Sequence, residues 1–376
     1  MTTPVASLLA GLAASFALAA DTTSTAREPK GVTLCVSKAG DNTDGRSWRT
    51  AFHTIQQALS AVPDARGGHR IVVRPDTYME ANLYPAQKGA KGAYNELVGD
   101  VDGSLGSGAA GPVILDSGDP ARGFKSYDWW GPIRAYQKAW SPEHKGETFS
   151  SVAWDRWALR NLYVTGGDGG LFWDLVAKVE PFTIVVEDCV GIGRAFGGGV
   201  ANHEARPDEP CVLRRCYLCC LDWWGDAGAA YVRCSHTSMP GTPDAAFEDC
   251  TLVSPDNALE VGYPKFPGHT RVKFTKCRLI VLNFSQPAGT PSRGIIHTPL
   301  DGKQLHVDLE DCQMMGYKVF STEGKNPIGY TVKGKVQVYV QFQQPAPPGM
   351  ERLAQWPVEL FARIAPPGAP SRKGPP

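Results

Sequence analysis

The sequence carries no excess of either charge. Lys and Arg together number 38, and Asp and Glu together also number 38, so the formal net charge of the 376-residue chain is zero. Proteins that bind nucleic acid or an anionic membrane through their overall charge carry a basic excess. The balance therefore argues against both of those partners.

Long apolar runs are missing from most of the chain. After residue 20, no run approaches the roughly 18 apolar residues that a membrane-spanning helix needs. Residues 5–20 are apolar, however, and they end in the small-x-small pattern Ala17-Leu18-Ala19. This pattern predicts a signal peptide over residues 1–20 and an exported protein that is secreted, periplasmic or held at the cell surface. The alternative is an apolar N-terminal helix behind a misassigned start, because residues 1–4 contain no Lys or Arg.

Glycine and proline are abundant, at 41 and 30 residues, which indicates an ordered chain with many turns. Several segments of this chain share one alternation of apolar and polar residues. They place the same position of the pattern at Leu162, Cys189, Cys216, Cys250, Cys277 and Cys312. The intervals between these residues are 27, 27, 34, 27 and 35. Three intervals are equal, and the other two are longer by the length of one surface loop.

A unit of 27 residues suits three short strands and three turns better than the common helical repeats. Stacked in parallel about 4.8 Å apart, such units align the repeated side chains in an internal ladder. Free thiols buried in this ladder are predicted at Cys189, Cys216, Cys250, Cys277 and Cys312. The cysteines that break the pattern leave a disulfide open: Cys35, Cys211, Cys219, Cys220 and Cys234. Cys216, Cys219, Cys234 and His236 also imitate a zinc site, although a second paired motif is missing.

The segment VSKAGDNTDGRSWRTAFHTIQQALSAV, together with the repeat, resembles the opening of a right-handed parallel β-helix of the pectin-lyase-like superfamily. The resemblance covers Gly31 to about Gln344 and implies one all-β domain over residues 31–344. It includes an amphipathic cap helix over residues 47–62, with Ser47 as N-cap and Pro63 as stop. Residues 350–364 are predicted to cover the last coil, through Leu353, Trp356, Leu360 and Ile364. Residues 365–376 are predicted to form a disordered tail.

Proteins of this fold bind extended polysaccharide along their coils, so the resemblance implies an exported carbohydrate-active protein. The catalytic motifs of polygalacturonase-like hydrolases and of pectate lyases are absent from the sequence. The resemblance therefore assigns no catalytic residue. Two functions are open: a polysaccharide lyase or epimerase that acts on an acidic glycan, and a non-catalytic β-helix that binds glycan or builds the cell surface.

Candidate catalytic side chains lie on the strand that follows each repeated position. The segments GLFWDLV, GGVANHE, AAYVRCSHT, ALEVGY and GIIHT bring to similar places Asp174, His203, His236, Glu260 and His297, with Arg233, Lys265 and Arg293 beside them. A uronate lyase needs a cation, a base and an acid, and these residue types supply all three. Asp174 and Glu260 are roughly 14 Å apart by strand spacing, which disfavours a paired-carboxylate hydrolase. The alternative is that these are ordinary solvated positions of an outer strand face.

Aromatic residues indicate where a sugar ring could stack. Trp129 and Trp130 lie in an irregular segment, and Trp223 and Trp224 lie in a loop flanked by two aspartates, Asp222 and Asp226, a second carboxylate pair. These rings form a substrate platform or pack a long loop onto the coils.

No cofactor is identified, although a calcium ion is possible. Asp100 and Asp102 stand in a glycine-rich turn that lacks the ligand spacing of an EF-hand. His53 and His69 are predicted to be solvated residues at or near the cap.

Overall fold

The computed structural model describes residues 31–80, 83–117, 151–166, 169–174, 180–193, 196–221, 228–234, 243–262, 269–282, 293–341, 345–355, 357–361 and 363–364. The predicted signal peptide and the predicted tail lie outside these residues. The described strands form three sheets in which neighbouring strands are parallel. Most coils supply one strand to the first sheet and one to the second, and six coils also supply a strand to the third.

The first sheet has ten strands, each paired with its equivalent in the next coil. In spatial order they are β1 (Thr33–Val36), β2 (Arg70–Val73), β4 (Asn95–Gly99), β6 (Trp157–Arg160), β9 (Ile184–Glu187), β12 (Cys211–Arg214), β15 (Ala245–Glu248), β18 (Thr270–Thr275), β21 (Leu305–Glu310) and β24 (Gly329–Lys333).

The second sheet also has ten strands and runs beside the first. They are β3 (Asp76–Met79), β5 (Val113–Asp116), β7 (Tyr163–Thr165), β10 (Val190–Gly193), β13 (Tyr217–Cys220), β16 (Thr251–Ser254), β19 (Arg278–Val281), β22 (Gln313–Gly316), β25 (Gln337–Val340) and β26 (Glu351–Arg352).

The third sheet has six strands and spans only the later coils. They are β8 (Gly169–Asp174), β11 (Phe196–His203), β14 (Gly228–Cys234), β17 (Leu259–Val261), β20 (Ile296–Thr298) and β23 (Phe320–Thr322). Short 3-10 helices occur at Ser151–Trp154 and Gly302–Gln304. This architecture is a right-handed parallel β-helix, which confirms the predicted fold class.

A left-handed residue precedes each repeated position and turns the chain from the first sheet into the second. For example, Asp188 has φ 54° and Lys276 has φ 55°, directly before Cys189 and Cys277. One backbone conformation therefore recurs in every such coil and aligns the residues that follow it, because neighbouring strands pair in register. The residues that share this conformation are Asn161, Asp188, Arg215, Asp249, Lys276 and Asp311.

The repeated cysteines form the predicted internal ladder. All five are buried free thiols, and each Sγ lies within hydrogen-bond distance of a carbonyl in its own coil and of one in the preceding coil, which share its single S–H. In Cys277, for example, Sγ lies 3.2 Å from the Phe247 carbonyl and 3.4 Å from the Thr275 carbonyl. Buried Val113 and Val336 extend the ladder beyond the repeat, and the periodicity missed them because their coils are respectively longer and shorter than 27 residues.

Burial raises the pKa of the Cys189 thiol to about 12 and that of the Cys312 thiol to about 11. The other cysteines whose side chains are described, Cys35, Cys211, Cys219 and Cys220, are also free and buried. No disulfide is therefore formed among these four, which corrects the possibility left open above.

We expect the ladder cysteines to resist a chromogenic thiol reagent in the native protein and to react fully in denaturant. Burial blocks access to all five thiols, and a raised pKa keeps those of Cys189 and Cys312 protonated and unreactive. Alkylation before and after denaturation, mapped by mass spectrometry, measures this directly. Fewer than five free thiols at the ladder positions in the denatured protein would contradict the ladder.

The outer face of the first sheet carries charges of alternating sign. Arg160 Nε lies 2.7 Å from Glu187 Oε2, and Glu187 Oε1 lies 3.1 Å from Arg214 Nη1 in the next coil. The series continues in both directions, and its members are Arg70, Glu96, Arg160, Glu187, Arg214 and Glu248. These side chains neutralise one another, so this face offers no basic groove to a polyanion.

The N-terminal cap helix, α1 (Ile55–Ser60), is shorter than predicted. Its N-cap is Thr54, which forms a capping box with Gln57, so the prediction of Ser47 as N-cap is wrong. Ser47 instead closes a turn with Thr50, and Phe52 forms a parallel bridge with Val36, which keeps the backbone extended up to the cap. The buried face of α1 packs against β1 and β2 as expected of a cap.

The C-terminal segment takes a different place from the predicted one. Helix α2 (Val358–Phe361) brings Leu360 onto the outer face of the second sheet, and Ile364 packs against the same cluster. The Tyr217 hydroxyl donates a hydrogen bond to the Ile364 carbonyl at 2.5 Å. This corrects the expectation that both residues cover the last coil, where β26 pairs with β25 instead. Trp356 lies outside the described residues.

Candidate functional site

The outer face of the third sheet holds charged side chains that are nevertheless buried. In β17, Leu259 and Val261 belong to the core, so Glu260 between them points outward. Glu260 pairs in register with His297 of β20, and His297 pairs with Ser321 of β23. Glu260 is 0% exposed and His297 is 2% exposed. Outward strand positions are normally solvated, so this part of the face is enclosed.

One arginine sits among three carboxylates at this place. Arg293 Nη1 lies 3.0 Å from Glu260 Oε2, its Nε lies 3.8 Å from Asp256 Oδ2, and its Nη2 lies 3.7 Å from Glu323 Oε1. A buried carboxylate requires such a partner, because an uncompensated charge is costly away from water. Arg293 is 18% exposed and Glu323 is 58% exposed, so the network reaches the surface at Glu323.

His297 joins this network to Ser321. Its Nδ1 lies 2.8 Å from Ser321 Oγ, and its Nε2 lies 3.7 Å from Glu323 Oε1. The Gly294 N–H donates a hydrogen bond to the same Ser321 Oγ at 2.6 Å. Burial, followed by the charges of Arg293 and Lys318, lowers the pKa of His297 to about 3. The imidazole is therefore neutral at neutral pH.

Lys318 is a residue that the sequence pattern did not single out. It is half-buried just before β23, and burial lowers its pKa. It makes no hydrogen bond or ion pair through its side chain with any other residue that the structure describes. After burial and the charge of Arg293, the charge of Lys318 also lowers the pKa of His297. We use the name third-sheet cluster for Asp256, Glu260, Arg293, His297, Lys318, Ser321 and Glu323.

The predicted line of catalytic residues is only partly aligned. Glu260 and His297 do lie in register, as predicted. Asp174 instead pairs with Ala201, and His203 pairs with Cys234 after an irregularity in β11. The register position of Glu260 is held in earlier coils by Tyr231, Gly199 and Phe172. Asp174 and His203 thus lie farther along their strands than Glu260, because the alignment by turn length missed this shift.

The remaining candidates keep the status of predictions. Arg233 lies in β14, but its side chain is not among those the structure describes. Several predicted site residues lie outside the described residues altogether: His236, Lys265, Trp129, Trp130, Trp223, Trp224, Asp222 and Asp226.

The glycine-rich turn after β4 is explained by its own hydrogen bonds. The carboxylate of Asp100 accepts the N–H groups of Leu105 and Ser107, each at 2.8 Å. Within the described part of the chain, no group of three or more His, Cys, Asp or Glu side chains is arranged to hold a metal ion. The calcium prediction therefore gains no support from this turn.

The two histidines near the cap differ from the prediction. His69 is 2% exposed, accepts the Val32 N–H at 3.2 Å and lies 3.1 Å from Asp64, so it is a buried structural residue. His53 is partly buried and lies 2.7 Å from the Gly40 carbonyl. Both rings anchor the backbone at the N-terminal end instead of facing solvent.

No protein-family model and no curated protein matches this chain. Among solved structures, the crystal structure of pectate lyase Pel9A is similar, with a TM-score of 0.44 and 11% sequence identity over 86% of this chain and 75% of that chain. The fold assigned above depends on the pairing of the strands. Within the described segments, no helix is both long and apolar enough to cross a membrane.

Proposed function

We propose that this protein is an exported carbohydrate-active enzyme that cleaves or epimerises an acidic glycan on the outer face of the third sheet. The observation that carries the proposal is the third-sheet cluster. There a half-buried lysine has a lowered pKa, and its charge acts on His297, which belongs to a network that includes Arg293. Perturbed titratable groups gathered in this way mark functional sites more often than ordinary surface.

The reaction needs a base for the proton next to the uronate carboxylate. Lys318 is the candidate base, because burial favours its neutral form, which can accept a proton. Arg293 is the candidate cation for the substrate carboxylate, and its charge increases the acidity of the adjacent C–H. Glu260 and Asp256 would position the guanidinium.

A lyase and an epimerase differ in the step after proton removal. In the lyase the bond to the leaving oxygen breaks, a double bond forms in the sugar, and Lys318, which has taken the proton, supplies it to that oxygen. In the epimerase the proton returns to the opposite face of the ring. Glu323 is the exposed carboxylate of the cluster and contacts both Arg293 and His297, so it would help to position them.

Non-catalytic glycan binding is the second candidate. The observation that favours it is the enclosure of the cluster, since Glu260 and His297 are almost fully buried and Arg293 already contacts three carboxylates. In this case the cluster would be structural. Glycan would then bind through the aromatic residues predicted from the sequence, such as Trp129 and Trp130.

A panel of uronate polymers, followed by the ultraviolet absorbance of the unsaturated product, tests the lyase, and proton exchange at the same carbon tests the epimerase. We expect Lys318→Met to lower the rate by about 100-fold or more, since a positioned base contributes roughly that much. Lys303→Met, an exposed lysine in the same region, is the matched control and should leave the rate unchanged.

The same polymers, immobilised, separate the two candidates. If the protein is retained on a polymer without product or proton exchange, and Lys318→Met does not change the retention, the enzyme proposal is overturned and glycan binding is supported. If no polymer is either retained or converted, both candidates fail.

A further inference from the structure

The cluster contains a hydroxyl, an imidazole and a carboxylate in sequence. Ser321 Oγ lies 2.8 Å from His297 Nδ1, and His297 Nε2 lies 3.7 Å from Glu323 Oε1. This is the order of nucleophile, base and acid used in acyl transfer. The lyase chemistry above uses Lys318 as its base and leaves the hydroxyl of Ser321 without a role.

The hydrogen bonds at Ser321 indicate the direction of the proton. Its Oγ accepts the N–H of Gly294 at 2.6 Å, so the hydroxyl hydrogen is available to be donated to His297 Nδ1. For Nδ1 to accept this hydrogen, the imidazole must carry its own hydrogen on Nε2, which lies 3.7 Å from Glu323 Oε1. Because burial makes His297 a weak base, the proton transfer depends on the charge of the Glu323 carboxylate, which stabilises the imidazolium that forms.

The fold holds the pair rigidly and leaves one side accessible. Ser321 and His297 occupy paired positions of neighbouring strands, so the sheet register sets their separation. His297 is almost fully buried, which restricts its ring. Ser321 is only partly buried and lies on β23, the terminal strand of the third sheet, where no further strand covers it among the described residues.

We propose that Ser321 and His297, with Glu323 as a positioning residue, hydrolyse carboxylic esters of the O-acetyl type carried by sugars. The sugar component of this substrate class follows from the proposed function, whereas the ester chemistry follows from the geometry alone. An enzyme that acts on a glycan backbone and also removes its acyl groups would work on both at one face of the third sheet.

In the first half of the reaction, Ser321 Oγ bonds to the ester carbonyl carbon and its proton moves to His297 Nδ1. The carbonyl electron pair shifts to oxygen, and the guanidinium of Arg293 stabilises that negative charge. The bond to the sugar oxygen then breaks, and the sugar hydroxyl takes the proton from Nδ1. In the second half, water adds to the acyl group by the same route, acetate is released and the Ser321 hydroxyl is restored.

The test uses an aryl acetate and a fluorophosphonate serine probe on the full-length protein. We expect both to report on Ser321: mass spectrometry should place the label there, and Ser321→Ala should lower the aryl acetate rate by about 1,000-fold or more. Ser60→Ala is the matched control, since Ser60 is exposed on α1. Labelling at another serine, or an unchanged rate in Ser321→Ala, would overturn the proposal.

Two further variants guard against a trivial loss of fold. Ser321→Cys keeps the shape of the side chain, and its thiol should be alkylated by iodoacetamide in the native protein faster than the buried native cysteines, because position 321 is only partly buried. Alkylation no faster than that of the buried native thiols would contradict this. Glu323→Gln should lower kcat with little change in KM, and Glu323→Asp should restore part of it.

The outcome is separable from that of the lyase or epimerase proposal. Aryl acetate contains no uronate, so its hydrolysis does not depend on Lys318 acting as a base. Loss of ester hydrolysis in Ser321→Ala, with uronate conversion retained, supports the inference. Failure of every uronate polymer while Ser321-dependent ester hydrolysis persists overturns the proposed function and leaves this inference standing.

Discussion

Replacing Phe274 by alanine is expected to lower the free energy of unfolding by about 3–5 kcal/mol. Phe274 is 0% exposed, and its ring stacks on that of Phe247 in the preceding coil, with centroids 5.0 Å apart and an interplanar angle of 20°. Parallel pairing on both sides fixes β18, so neighbouring coils cannot collapse into the cavity. The loss should therefore lie toward the upper end for a phenylalanine.

Denaturant unfolding followed by circular dichroism measures this effect. Thr275→Ala is the control, because Thr275 follows Phe274 on the same strand but faces outward, and its effect should stay within about 1 kcal/mol. A Phe274→Ala loss as small as that of the control would mean that the stacked ring contributes little to the coil interface. Since solenoid stability is roughly a sum of neighbour terms, the central coils should unfold first in this variant.

Replacing Glu260 by glutamine is expected to cost about 3 kcal/mol of stability. The glutamine keeps the shape of the side chain but removes the charge that lies 3.0 Å from Arg293 Nη1. Arg293 is 18% exposed, so water replaces only part of that interaction. The contacts to Asp256 and Glu323, at 3.8 and 3.7 Å, are longer and compensate only partly.

A double-mutant cycle tests the reason for this loss. Combining Glu260→Gln with Arg293→Met should recover part of the stability, because the double variant removes the guanidinium that Glu260→Gln leaves without its nearest carboxylate, at the cost of the longer contact to Asp256. If the two losses simply add, Glu260 and Arg293 are not coupled and the cluster is not organised around them. Thermal unfolding of the four proteins at one pH provides the comparison.

The repeat in the sequence is sufficient to predict the architecture. In a parallel stack, a residue of one coil lies beside the equivalent residue of the next coil. The repeated positions Leu162, Cys189 and Cys216 are therefore also neighbours in the structure. The alternation of apolar and polar residues also predicts which side chains face the core. In β18, Val272 and Phe274 face inward, whereas Lys273 and Thr275 face outward. Fold class, ladder and free thiols are therefore local properties of the pattern.

The sequence pattern predicted the register of the third sheet only in part. The turns leading to it vary in length, so counting residues from the cysteine places each strand only approximately. A shift of two or three residues moved Asp174 and His203 away from the register of Glu260 and His297. Lys318 belongs to no repeated pattern, because only its effect on the pKa of His297 singles it out.

The sequence by itself determined the number of strands per coil and the ladder position of this protein. Those features repeat, and stacking turns repetition along the chain into contact between coils. Only the tertiary structure decided which outward side chains meet, that Ser321 hydrogen-bonds to His297, and that Leu360 returns to the second sheet. These contacts join elements whose separation along the chain follows no period, so their physical cause is packing between coils rather than any local preference.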